Sequence, residues 1–267
     1  MQIIEAIILG AVQGITEFLP ISSSAHLVIL PLLFKWDSPL LNSLTFDVGL
    51  HFGTLFAVIF YFLREWWNLL LNFIGKGDEN LNGLNKKLFI YIAIATIPGA
   101  LAGILFEKFA ETTFRTPHLI AVTSAIFGIV MGITDRFSKK DIKMKDISFF
   151  KSLLIGIAQA FAIIPGISRS GSTITMGLWT GLNRETATRF SFLLSTPVIG
   201  GACIYKLKDF LSVNLADSGA AIFAGIISSA IFGFLSIHFL IKFLSKHTLT
   251  LFVVYRLIFA AVIVLFL

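Results

Sequence analysis

The sequence predicts an all-α polytopic membrane protein, an inverted-topology repeat with six transmembrane helices and two re-entrant helix pairs. Three observations lead there. First, only 21 Lys+Arg and 15 Asp+Glu occur in 267 residues, so 13% of the chain is charged against about 25% in soluble domains, and mean hydropathy is +0.89. Second, six apolar stretches are long enough to cross a bilayer, which takes ~20 residues. Third, two longer apolar stretches break in the middle and resemble each other. So few charges cannot cover a water-facing surface, which excludes a disordered chain, a coiled coil and a soluble nucleic-acid binder. Cys203 is the only cysteine, so neither an intramolecular disulfide nor a cysteine zinc cluster can form.

The elements follow in order. Residues 1–34 begin without the basic n-region of a signal peptide and carry Glu5, Gln13, Glu17 and His26, so they are read as part of the mature fold. This stretch is too long for one span and breaks at Pro20 and Ser22-Ser23-Ser24. Uninterrupted spans follow at 45–63, 88–107 and 117–135. Trp66 and Trp67 beside Arg64 suit an interfacial aromatic belt. Residues 149–183 repeat the broken pattern, with Gln159, Pro165-Gly166, Ser168-Arg169-Ser170 and Thr173. The last spans are 189–207, 220–242 and 249–267. A break exposed to lipid would leave backbone groups unpaired at several kcal/mol each, so both breaks belong inside protein or against a wet cavity.

Gly10 and Gly156, Gln13 and Gln159, Ile21 and Ile167, Ser22 and Ser168, and Ser24 and Ser170 all share an offset of 146. This divides the chain into a first repeat, 1–140, and a second, 141–267. The basic loop Arg136, Lys139, Lys140, Lys143 and Lys145 goes inside by the positive-inside rule. The loop with Arg64, Lys76, Lys86 and Lys87, and the pair Lys242 and Lys246, then fall on the same side. Lys206 and Lys208 face out, accompanied by Asp209 and Asp217. Both termini lie outside. Three crossings per half invert the second half, so the broken helices meet near the midplane.

Several polar residues fall within this apolar frame. Gln13 and Glu17 are four apart and share a helix face, and a carboxylate at membrane depth costs ~2.5 kcal/mol or more, a mark of function. Ser22, Ser23 and Ser24 after Pro20 read as a helix cap that also presents free amides. His26 could take a serine proton or itself attack phosphorus. The run Pro165 to Thr173 places Arg169, hydroxyls and glycines at a helix start, an arrangement that favours a phosphate. The partner of Arg169 is Glu17, a ligand phosphate, or both through a metal ion. The lysine of a nucleotide P-loop is missing. His51, His118, His238 and His247 have no clustered partners in sequence, and Arg184, Glu185 and Arg189 read as interfacial anchors. Asp47 and Arg256 lie in or near apolar spans, and Arg256 needs a carboxylate or a route to water.

Gln13 through Leu27 (QGITEFLPISSSAHL) resembles the (E/Q)xxxE and PxSSxxHL region of bacterial undecaprenyl-diphosphate phosphatases, also called bacitracin-resistance proteins. Pro165 to Thr173 resembles the PGxSRSxxT segment of the same family, and the similarity continues at Ser191-Phe192-Leu193-Leu194 and Tyr255-Arg256. The resemblance implies an inner-membrane enzyme that removes the terminal phosphate of a polyprenyl diphosphate and returns the monophosphate carrier to cell-wall assembly. It further implies a site open to the external face and dependence on a divalent cation, Mg or Ca. Carried over by position, Glu17 helps hold the metal, with Gln13 beside it where many members have Glu. Arg169 binds the diphosphate, Ser168 and Thr173 position its oxygens, and Ser22, Gly166 and Ser170 complete the binding set. The nucleophile is Ser23 or His26, with Ser23 attacking and His26 as base the preferred scheme. The partners are a polyprenyl diphosphate lipid and the bilayer, with a second copy of the chain a candidate partner.

A polyprenyl-phosphate flippase or transporter is the competing expectation, because inverted repeats with broken helices also build carriers. The Ser/His/Glu/Arg set favours hydrolysis, since a carrier needs charge complementarity but no nucleophile.

Overall fold

The computed structural model describes residues 2–36, 38, 40–41, 43–76, 86–211 and 215–267. In chain order the helices are α1 (Gln2–Phe18), α2 (Ser23–Phe34), α3 (Leu44–Tyr61), α4 (Leu63–Phe73), α5 (Lys86–Leu105), α6 (Glu107–Glu111) and α7 (Pro117–Phe137). They continue as α8 (Phe149–Ala160), α9 (Arg169–Trp179), α10 (Arg184–Tyr205), α11 (Leu207–Leu211), α12 (Leu215–Leu244) and α13 (Thr250–Phe266). No strand occurs among the described residues. The protein is an all-α polytopic membrane protein.

Local chemistry sets these boundaries. The Ser43 hydroxyl accepts the Phe46 N–H at 3.1 Å to start α3, and the Asn183 side chain accepts the Thr186 N–H at 2.8 Å to start α10, as N-caps do. The Asn183 cap draws Arg184, Glu185 and Arg189 into a helix longer than the predicted span 189–207. Pro117 opens α7, where its missing N–H costs nothing. Among the described residues, four helices are long and apolar enough to cross a membrane: α5, α7, α10 and the 219–244 part of α12. A fifth span requires α3 and α4 together, which are bent by 68°. The predicted span 45–63 therefore ends at this bend, and Trp66 lies just beyond it, donating to Thr196 at 3.1 Å. The sixth predicted span is realised as the 17-residue α13, about 25 Å long at 1.5 Å per residue and shorter than the other crossings. Lys206 pairs with Glu107, while the side chains of Asp209 and Asp217 lie outside the described residues.

Packing exchanges partners between the two halves. Helix α1 lies along α12, α8 lies along α5, α3 meets α10, and α7 meets α13. Small residues make the closest seams, as they do where lipid supplies no driving force for helix association. A Cβ at Gly14 would lie 2.6 Å from the Gly233 nitrogen and the Ser229 carbonyl of α12, and one at Gly156 would lie 2.8 Å from Ala95 Cα of α5. Both helices therefore sit with their backbones nearly touching a neighbouring helix. Phe18, Phe62, Phe190 and Phe192 fill the centre, while Ile126, Ile129 and Ile133 of α7 point outward as a lipid-facing row.

The two breaks lie side by side in this core. Each helix start after a break follows a serine with positive φ: Ser22 at 76° and Ser168 at 75°. Non-glycine residues rarely adopt this conformation, which costs of order 1–3 kcal/mol and persists where surrounding contacts over-determine it. Both serines are held by such contacts.

Candidate functional site

The first break is tied to the second by serine hydroxyls bonded to backbone groups. The Ser22 hydroxyl accepts the Gly166 N–H at 3.1 Å, and the Ser170 hydroxyl donates to the Leu19 carbonyl at 3.0 Å. The Ser168 hydroxyl accepts the Gly171 N–H at 3.1 Å as the cap of α9. Thr123 of α7 donates to the Pro165 carbonyl at 2.7 Å.

Arg256 completes the fastening. Its side chain is fully buried and donates to the carbonyls of Ser124 at 3.1 Å, Pro20 at 3.2 Å, Ile167 at 3.1 Å and Gly166. Its guanidinium also lies over the Phe127 ring, 5.3 Å from the centroid. The sequence suggested a carboxylate or a route to water for this arginine; four carbonyls, three of them at the breaks, replace both.

With the breaks joined, Glu17 and Arg169 meet. Arg169 Nη2 donates to Glu17 Oε1 at 2.9 Å, with the two side chains 12% and 6% exposed. Glu17 Oε2 accepts from Ser23 Oγ at 2.6 Å and from Gln13 Nε2 at 3.1 Å. One buried carboxylate thus joins Gln13, Ser23 and Arg169. Three buried atoms of this cluster have no hydrogen-bond partner: Arg169 Nε, Arg169 Nη1 and Gln13 Oε1. Buried polar groups are nearly always satisfied, so two unmet donors and an unmet acceptor on residues of one cluster mark a place for a ligand.

His26 makes its hydrogen bonds to groups other than Ser23. Its Nδ1 is 2.7 Å from the Ser22 carbonyl, which can only accept, so Nδ1 carries the proton. Nε2 is 2.6 Å from the Tyr255 hydroxyl, and the ring stacks on Phe259 at 4.2 Å between centroids. In the neutral ring Nε2 is therefore an acceptor already engaged by Tyr255. The expected serine–histidine contact is not made; Ser23 donates to the carboxylate instead.

The remaining candidates hold the site's shape. The Thr173 hydroxyl donates to the Arg169 carbonyl at 2.9 Å and shares a 2.6 Å hydrogen bond with Ser191. Ser22, Gly166, Ser168 and Ser170 likewise spend their groups on the breaks. Gln159, the counterpart of Gln13, donates to the Ala95 carbonyl of α5 at 3.4 Å.

Two residues join the site that sequence reasoning had set aside or left without a role. His51 Nε2 lies 3.7 Å from Glu17 Oε2, and its Nδ1 donates to the Asp47 carbonyl at 2.7 Å. Asp47 in turn pairs with Arg115 at 3.0 Å. Tyr255 holds His26. The only sequence signal for His51 was its i, i+4 spacing from Asp47. Among the described residues no group of three or more His, Cys, Asp or Glu converges.

A family model described as bacitracin resistance protein BacA matches residues 6–262. A protein of Moorella thermoacetica named undecaprenyl-diphosphatase is 48% identical over 264 residues, covering 99% of this chain and 97% of the relative. A protein of the same name from Pelotomaculum thermopropionicum is 48% identical over 258 residues, covering 97% and 94% respectively. One from Caldicellulosiruptor bescii is 46% identical over 268 residues, covering 100% and 98%.

Proposed function

The chain belongs to the bacitracin resistance protein family, and from that membership we propose that it hydrolyses undecaprenyl diphosphate to undecaprenyl phosphate and inorganic phosphate. The observation that carries this reading is a buried carboxylate bonded at once to a serine hydroxyl at 2.6 Å and to an arginine at 2.9 Å that keeps two donors unmet.

The residues divide the chemistry between them. The substrate's terminal phosphate takes the unmet Arg169 donors, which match phosphate oxygens in a fixed fork. Ser23 Oγ attacks the terminal phosphorus while its proton passes to Glu17 Oε2. The bond from phosphorus to the bridging oxygen breaks, Glu17 returns the proton to that oxygen, and undecaprenyl phosphate leaves. Water then hydrolyses the phosphoserine, releasing inorganic phosphate and restoring Ser23. Arg169 offsets the charge that develops on the transferring group, where phosphoryl-transfer catalysts gain most. His26 anchors the Ser22 carbonyl and so fixes the turn that presents Ser23.

A divalent cation fits the donor set. Gln13 Oε1 is buried, unmet and beside the Glu17 carboxylate, and magnesium is commonly held by one or two carboxylates plus substrate phosphates. Gln13 and Glu17 would hold it, and it would neutralise diphosphate charge. The site faces the external side of the bacterial inner membrane, with the 136–145 basic loop in the cytoplasm, and the two halves, 1–140 and 141–267, form an inverted repeat. The like φ values of Ser22 and Ser168 and the exchanged pairs α1–α12 and α8–α5 support that division.

The carrier reading has less behind it, because transport calls for no serine on a carboxylate and the relatives are named as phosphatases. Purified protein given undecaprenyl diphosphate releases inorganic phosphate, and EDTA suppresses the release. Absence of phosphate under every divalent metal tried would return the carrier to first place.

A further inference from the structure

One cavity of the molecule lies away from Glu17. It is about 660 Å³ and lies where α7 ends, α10 begins and α13 begins. Its rim carries Arg136, Lys140 and Arg184 with the hydroxyls of Thr248 and Thr250, and its floor is apolar, formed by residues including Ile129, Ile133 and Val253.

The charge at this rim is unbalanced. Among the described residues, Asp135 is the only carboxylate lining the cavity. One of its oxygens accepts from Arg184 Nε at 2.6 Å and the other from the Leu249 N–H at 2.9 Å. Both oxygens are engaged, so Asp135 answers one cation and not the other two. The floor runs into the outward row of α7, where Ile129 and Ile133 are 49% and 52% exposed. The cavity is therefore cationic at the helix ends and continuous with the lipid-facing surface below.

We propose that this cavity binds an anionic phospholipid, its phosphate among Arg136, Lys140 and Arg184 and one acyl chain along Ile129, Ile133 and Val253. Basic pockets between transmembrane helices are suited to acidic head groups, and the apolar floor selects a lipid over a free anion. This second phosphate site lies on the face that carries the 136–145 loop and involves none of the residues placed in the hydrolytic cluster.

The test uses the whole purified protein in detergent, with phosphatidylglycerol, phosphatidylcholine or inorganic phosphate added, read by native mass spectrometry and by thermal melting. Phosphatidylglycerol is retained and raises the melting temperature, while the other two do neither. Arg136→Gln with Lys140→Gln weakens phosphatidylglycerol retention about tenfold or more and leaves phosphate release without added lipid at the wild-type level. Ile133→Trp fills the floor, keeps every charge and also weakens retention. Equal retention of phosphatidylcholine, unchanged retention in both variants, or the same melting shift with inorganic phosphate alone would overturn the assignment.

Discussion

The two breaks share a scaffold but not their chemistry. At offset 146, Ser22 and Ser168 have the same positive φ, and each starts a helix. Yet Glu17 corresponds to Ile163, Ser23 to Arg169 and His26 to Ser172. The first break supplies the acid, the hydroxyl and the imidazole, while the second supplies the cation. The two turns are alike, and their meeting brings unlike side chains within 3 Å. Two similar turns can therefore hold an asymmetric site, because Ser22, Ser170 and Arg256 set the turns while Glu17 and Arg169 carry the charge between them.

Removing each break's distinctive group is the most direct way to test this division. Ser23→Ala is expected to lower kcat about 10⁴-fold or more, as loss of a nucleophile does, with insertion into the membrane intact by fractionation. Arg169→Ala should cost about 10³-fold, within the range for a charge-stabilising arginine in phosphoryl transfer, and Arg169→Lys should recover little because the fork is lost. Near wild-type turnover in Arg169→Ala would leave the second break as scaffold only. The glutamines sharpen the comparison at the small end. Gln13→Leu should raise the metal concentration needed for half-maximal rate by about tenfold, on the premise that outer partners of a metal site carry 10–100-fold effects. Gln159→Leu should leave that metal dependence unchanged, since its amide bonds to the Ala95 carbonyl of α5 and not to Glu17.

Much of this arrangement was legible in the sequence. Proline followed by hydroxyl residues inside apolar sequence marked both breaks, and the cost of a buried charge singled out Glu17 and Arg169, which lie 2.9 Å apart. The contacts of His26 were not legible. Its nearness to Ser23 in sequence suggested a pair, but the turn that gives Ser22 its positive φ aims the imidazole at Tyr255, 229 residues away. His51 was passed over because its partner Glu17 comes from another helix, and local spacing carries no trace of that approach. The partners of Arg256 were hidden for a different reason. They are carbonyls, which every residue has, so no residue type announces them. The bend after Tyr61 was also unreadable, since Phe62 and Leu63 are as apolar as the span before them.

The Arg256 fastening has a consequence for behaviour in a changing bilayer. One cation grips oxygens from both turns, so the turns move as a single body. When the membrane thins or thickens, adjustment is left to the outer helix ends and to tilt, both inexpensive. The gap between carboxylate and guanidinium then keeps its width, and the protein carries its own ruler from one lipid composition to the next.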